Sequence, residues 1–172
     1  MASGVTSQPA AVAFTIRDYR PEDFDRLWAI DQRCFLPGIA YTPMELSGFV
    51  RKRHAITLVG EFQSPGCNDA RTGQADRIAG FVVAHPVRRQ YGRILTLDIL
   101  PGARRSGLAT ALMSACEQRL RAVGCKEVYL ETAVDNEAAL RLYKKLGYQV
   151  LGTLPEYYSS HSLDAFQMGK RL

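Results

Sequence analysis

The chain is poor in the residues that build metal centres and disulfide frameworks. Its four cysteines, Cys34, Cys67, Cys116 and Cys125, include no CxxC pair, and its three histidines, His54, His85 and His161, are scattered. That pattern argues against a zinc ribbon or a redox pair, and the expectation is no metal and reduced thiols packed as small apolar side chains. No apolar run approaches the roughly 20 residues that cross a bilayer, so a membrane partner is not expected and the expected setting is the cytoplasm. Lys and Arg number 22 against 17 Asp and Glu. The excess favours anionic ligands but includes no basic run long enough to read as a nucleic-acid arm. Two nucleotide motifs are also missing. There is no GxxxxGK[ST] for a Walker loop and no GxGxxG after the first strand for a dinucleotide fold. The opening MASGVTSQPAAVA has no basic n-region, so 1–13 reads as a flexible tail rather than a signal peptide.

What remains is ordinary soluble composition, 47% hydrophobic and 23% charged over 172 residues, enough for a single domain over 14–172 with a substantial core. FTIRDY (14–19) reads as a strand. Pro21 opens a helix with Glu22 and Asp23 in its first turn, where the helix dipole favours acids; Phe24, Leu27, Trp28, Ile30 and Cys34 mark its apolar face. A second short helix starts near Pro43. Segments 54–62 and 77–87 read as a hairpin around a polar connector at 63–76, and 93–100 as a third strong strand. Helical spacing then joins Ala109, Leu112, Met113, Cys116, Leu120 and Val123, with Gly124 as the stop. KEVYLETAV (126–134) alternates as a strand, Asp135-Asn136 caps a further helix that Gly147 ends, and 148–154 and 164–172 complete the strands. The order β-α-α-β-β-β-α-β-α-β-β mixes hairpins with crossovers, which predicts a mixed sheet with helices on its faces.

The stretch GARRSGLATAL (102–112) places two arginines where a strand gives way to a helix. Main-chain N–H groups at a helix start lack intrahelical partners, and the dipole adds partial positive charge. Gly107 admits a ligand close to the backbone, Ala109 is small, and Arg104 and Arg105 can add charge-assisted hydrogen bonds. The arrangement suits a pyrophosphate; a merely solvated basic turn is the alternative.

The spacing Arg104-x-x-Gly107-x-Ala109 resembles the Q/R-x-x-G-x-G/A loop of the GCN5-related N-acetyltransferases, which cradles the pyrophosphate of acetyl-coenzyme A. A second stretch, from Glu131 through Asn136 and Tyr143 to Gly147-Tyr148, resembles the same family's later signature. The resemblance runs from about 14 to 172. It implies an α/β fold with a mixed, mostly antiparallel sheet of six to seven strands, splayed at the acetyl-coenzyme A site, with about four helices on its faces. It further implies that Leu97, Asp98 and Ile99 expose main chain to the pantetheine arm. Arg104, Arg105, Ser106, Gly107, Leu108, Ala109 and Thr110 are implied to meet the phosphates, and Asn136 the pantetheine. Tyr143 is then the general acid beside the thioester sulfur and also a cofactor contact. Ala109 stands where glycine is commoner, and Ala103 where an aromatic is frequent.

Transfer to an amine requires a neutral nucleophile, a smaller problem for an α-amine with a pKa near 8 than for lysine near 10.4. Alternation places Tyr129, Glu131 and Ala133 on one strand face and Val128, Leu130 and Thr132 on the other. Glu131 is the candidate base; a solvated carboxylate or one paired with an arginine is the alternative reading, and Asp98 is the reserve base. Within the family the resemblance is closest to the ribosomal-protein-alanine and protein N-terminal acetyltransferases. Phe35, Pro37 and Tyr41 resemble the loop that receives a peptide N-terminus, with Leu36 as a departure, and Tyr157 and Tyr158, followed by Asp164-Ala165, resemble the tyrosines that close over it. The implied acceptor is a protein N-terminus, a ribosomal protein among the candidates, for a monomer or weak homodimer. A polyamine or aminoglycoside acetyltransferase is the alternative, and a non-catalytic acyl-coenzyme A sensor is a third reading.

Overall fold

A computed structural model describes residues 14–62, 77–88 and 90–172. The expected tail at 1–13, the connector at 63–76 and Cys67 lie outside the described residues. The elements follow the expected order: β1 (Phe14–Asp18), α1 (Phe24–Cys34), α2 (Pro43–Val50), β2 (Ile56–Phe62), β3 (Ile78–Pro86), β4 (Tyr91–Ile99), α3 (Leu108–Ala122), β5 (Glu127–Ala133), α4 (Glu137–Lys145), β6 (Gln149–Tyr158) and β7 (Leu163–Arg171). The strands form one sheet in the order β1-β2-β3-β4-β5-β7-β6. Every pairing is antiparallel except β4 with β5.

Local chemistry sets the helix starts. Thr42 and Glu45 form a reciprocal cap at α2: the Thr42 hydroxyl accepts the Glu45 N–H at 3.3 Å and the Glu45 carboxylate accepts the Thr42 N–H at 2.8 Å, with Pro43 in the first turn as its missing N–H allows. Asp23 does more than sit at a dipole. It is 1% exposed and pairs with the Arg17 guanidinium at 2.7 Å, while Arg17 also reaches Glu61 at 2.6 Å. One arginine thus ties β1, the entry to α1 and β2 together.

Two apolar layers cover the sheet. On one face Leu108, Leu112, Met113, Cys116 and Leu120 of α3 are fully buried against β2, β3 and β4. The contact is close enough that a Cβ on Gly92 would sit 2.8 Å from Leu120, so any larger residue would have to displace that buried side chain. On the other face Leu27, Ile30, Leu46 and Val50 from α1 and α2 pack on Val59, Phe81 and Val83.

Two irregularities open the sheet beside α3 and α4. The parallel ladder between β4 and β5 runs only from Tyr91↔Glu127 to Arg93↔Tyr129; beyond it the strands part. Within β4 the pairing with β3 steps from Ala84↔Ile94 to Val83↔Thr96, so Leu95 is one residue too many. Such a bulge bends its strand and exchanges the faces of the residues after it.

Candidate active site

The parted strands enclose a cleft of about 320 Å³. Its walls are Ile94 to Leu97 of β4 and Leu130 to Ala133 of β5, and α4 closes it with Asn136, Ala139 and Tyr143. A groove of comparable size, about 360 Å³, lies beside Asp18, Tyr19, Thr57 and Arg119 at the far end of α3 and contains none of the predicted residues.

Beyond the end of β4 the Pro101–Ala103 turn leads into the basic loop. The Ser106 hydroxyl donates to the Ala103 carbonyl at 2.7 Å and accepts the Leu108 N–H at 3.3 Å, which staples the loop to the start of α3. Arg105 and Gly107 both take left-handed backbone, with φ of 63° and 88°. A Cβ on Gly107 would meet nothing within 4 Å, so the glycine answers the backbone angle and leaves the approach open. Ala109 and Thr110 lie in the first turn, whose N–H groups have no partner within a helix. Arg104 is exposed yet donates through Nε to the Ile99 carbonyl at 3.3 Å, whereas the Leu108 side chain is fully buried in the core. An anion here would therefore meet Arg105 and main chain from Gly107 onward.

Of the three β4 positions expected at the pantetheine, only Leu97 lines the cleft; Leu95 and Thr96 join it, because the bulge shifts which groups face the gap. The Ile99 carbonyl is already an acceptor for the Cys34 thiol at 3.3 Å and for Arg104. The Asp98 side chain is fully buried and accepts a hydrogen bond from the Thr96 hydroxyl. Burial drives its carboxyl well above the ordinary range, with the neighbouring Asp31 charge adding to the shift. The reserve base is thus away from the cleft walls.

Glu131 lies in the cleft with its side chain 8% exposed, paired with Arg93 at 3.1 Å. Arg93, on β4, also donates to the Tyr157 hydroxyl at 3.1 Å and lies 6.0 Å from the Tyr129 ring centre. The arginine-paired alternative for Glu131 is therefore what the structure contains, and one guanidinium gathers Glu131 and Tyr157 from β5 and β6. Nothing local singles Arg93 out; the signal is its register opposite Tyr129, which needs the strand alignment.

Tyr143 is buried on α4 with its ring tilted against Tyr148 at 5.8 Å, and it lines the cleft. Burial pushes its hydroxyl well above an ordinary phenol. The Asn136 side-chain oxygen accepts the Ala139 N–H at 3.2 Å and starts α4 as its cap.

The α1–α2 loop supplies Phe35, Leu36, Ile39 and Tyr41 to the cleft; Pro37 is not among the lining residues, and Leu36 and Ile39 are additions. Tyr41 is tied on every side. Its N–H donates to Asp31 at 2.8 Å, its carbonyl accepts from Gln32 at 2.9 Å and Trp28 at 3.2 Å, and its hydroxyl donates to the Leu95 carbonyl at 3.2 Å. β6 runs past the expected residue 154 to Tyr158 through an irregular stretch where Glu156 has φ of 49°. Asp164 accepts the Glu156 N–H at 2.8 Å and holds that kink. Tyr158 then lines the cleft, with Tyr157 edge-on to it at 5.1 Å. Above them the Ser160 hydroxyl donates to the Gly38 carbonyl at 3.0 Å, joining the two loops. Among the described residues no group of three or more His, Cys, Asp or Glu could hold a metal, and no helix is long and apolar enough to cross a membrane.

The chain matches the Acetyltransferase (GNAT) family over residues 16–148. It is 36% identical over 88 residues to an N-alpha-acetyltransferase of Sulfurisphaera tokodaii, a match covering 51% of this chain and 52% of that protein. The chain thus spans about half the length of that relative. Among solved structures, Ard1 from Thermoplasma volcanium superposes with a TM-score of 0.78 at 29% identity, over 94% of this chain and 99% of the other. The ribosomal-protein-S18-alanine N-acetyltransferase from Escherichia coli shares the fold, with a TM-score of 0.75 at 20% identity over 92% and 94% of the two chains.

Proposed function

This chain belongs to the acetyltransferase (GNAT) family, and we propose that it transfers the acetyl group of acetyl-coenzyme A to the α-amino group at a protein N-terminus. The observation that carries this reading is the cleft between the parted strands. Phe35, Tyr41 and Tyr158 line it together with Glu131 and Tyr143, and the basic loop 104–110 follows the end of β4, the strand that forms one of its walls. The cleft does not suit a polyamine. The acids lining it are Glu131, already paired with Arg93, and Asp135, whereas several ammonium groups would need several unpaired carboxylates. The N-alpha-acetyltransferase relative and the Ard1 structure support the same acceptor.

Each part of the site has its own task. Arg105 and the N–H groups at the start of α3 would hold the pyrophosphate, and the unpaired edges of β4 and β5 would offer main-chain partners to the pantetheine. Bound acetyl-coenzyme A supplies a thioester already activated for attack. Phe35, Tyr41, Tyr157 and Tyr158 hold the incoming peptide. At pH 7 about a tenth of α-amines are neutral, against less than about one in a thousand lysines, so the base has a modest task with an N-terminus. Glu131 takes the amine proton directly or through a water, exchanging Arg93 for the ammonium as partner, and Tyr143 gives its proton to the departing sulfur.

The test is acetyl transfer to short peptides with free N-termini, beside the same peptides blocked at the N-terminus but carrying lysine. Turnover confined to free N-termini is expected, with the preferred first residue reporting the pocket around Phe35 and Tyr41. Turnover on small amines alone would overturn the reading.

A further inference from the structure

We propose that Asp98 is a neutral carboxylic acid that donates its proton to Asp31, and that this pair positions Tyr41 for the acceptor. The role of Tyr41 as an acceptor contact rests on the reading above; the proton assignment does not.

Asp31 on α1 and Asp98 on β4 are both fully buried. Each has one oxygen supplied with donors. Asp31 Oδ2 accepts the Tyr41 N–H at 2.8 Å and the Gln32 amide at 3.0 Å, and Asp98 Oδ1 accepts from the Thr96 hydroxyl. Each also has one oxygen without any donor, Asp31 Oδ1 and Asp98 Oδ2. The two carboxyls are within hydrogen-bond reach of each other. Two buried acceptors without donors, on carboxyls that interact with each other, are costly. A single proton between them satisfies both.

The surroundings decide which carboxyl carries it. Two N–H donors stabilise charge on Asp31, while Asp98 has a single hydroxyl. Burial raises both, Asp31 to about 6 and Asp98 well above the ordinary carboxylate range, in agreement with a proton held on Asp98. The titratable neighbours are Cys34 on α1, Tyr41 in the loop, Glu45 on α2 and Tyr143 on α4, and Arg104 faces Cys34. The extra residue at Leu95 is what makes the pair possible. Without it, alternation would place Asp98 against α3. The bulge therefore both presents β4 to the cleft and sends Asp98 across to fix the acceptor loop.

The test compares Asp98→Asn, whose amide keeps a donor toward Asp31, with Asp98→Leu, which keeps bulk and removes the donor. Infrared spectra at pH 7 should show an un-ionised carboxyl band in the parent protein that disappears in D98N. With acetyl-coenzyme A and a free-N-terminus peptide, D98N should keep the peptide KM within about twofold. D98L should raise it about tenfold, with kcat and the acetyl-coenzyme A KM within about twofold. No such band, or equal rises in the two variants, would overturn the proposal. If the parent protein acetylates no peptide, the acceptor reading fails, while the band and exchange protection of the Tyr41 amide, kept in D98N and lost in D98L, still judge this one. If D98L does not fold, the band and the D98N kinetics decide.

Discussion

The two regions that the proposed reaction would use are built by opposite means. The loop that follows β4 is one continuous stretch, Leu97 to Thr110, shaped largely by main chain: a stapled turn, two left-handed residues and a helix start. The region beside α1 is assembled from side chains distant in sequence, with Asp31, Tyr41 and Asp98 on one side and Tyr158, Ser160 and Asp164 on the other. A main-chain cradle suits a ligand that never changes, because it depends on backbone angles more than on side-chain identity. A side-chain frame can be retuned residue by residue, which is what choosing among acceptors requires.

Tyr143 stands at the seam between the two, and changing it should have the largest effect. Tyr143→Phe keeps the ring that packs on Tyr148 and removes the proton donor. kcat should fall about 100-fold, within the range for a lost general acid, while acetyl-coenzyme A still binds by calorimetry. Unchanged turnover would remove Tyr143 from the mechanism.

A smaller effect, confined to one region, is expected from Gly107→Ala. The new methyl meets no protein atom but forces alanine into left-handed backbone, at about 1–2 kcal/mol, and stands where an anion would approach. The acetyl-coenzyme A KM should rise about tenfold and the peptide KM should not move. Equal rises in both would show that the two regions are not separable.

The same contrast explains how much could be read in advance. Element order, the mixed sheet and the turn from β4 into α3 are local patterns, and spacing and alternation carry them. Alternation put Glu131 on its own face of β5, and Tyr129 with it. What could not be read depends on register between strands. One extra residue at Leu95 exchanges the roles of Leu95, Thr96 and Asp98, and no local pattern marks that residue as extra. Arg93 becomes the partner of Glu131 only because the β4–β5 ladder stops at Arg93↔Tyr129. Asp31 looks like a polar position on an amphipathic helix until Tyr41 and Asp98 fold against it.

Turnover should respond least to Asp98→Asn, whose signature is instead in stability against pH. A buried acid with a raised pKa holds a proton in the folded state that the unfolded chain, with an aspartate near 3.9, has already released. Stability from such a group is complete at low pH and is lost as pH rises toward the folded value, at up to about 1.4 kcal/mol per pH unit for one proton. Asp31, raised to about 6, contributes its loss between about pH 4 and 6. Asp98, raised well above the ordinary carboxylate range, adds a loss of its own as pH rises toward its folded value, and asparagine has no proton to lose. Urea midpoints at pH 5, 6, 7 and 8 should therefore fall more steeply for the parent protein than for D98N. Parallel curves would mean that Asp98 is ionised in the folded protein. The acceptor loop would then be held against two buried charges, and the frame there would need a cation in place of the proton.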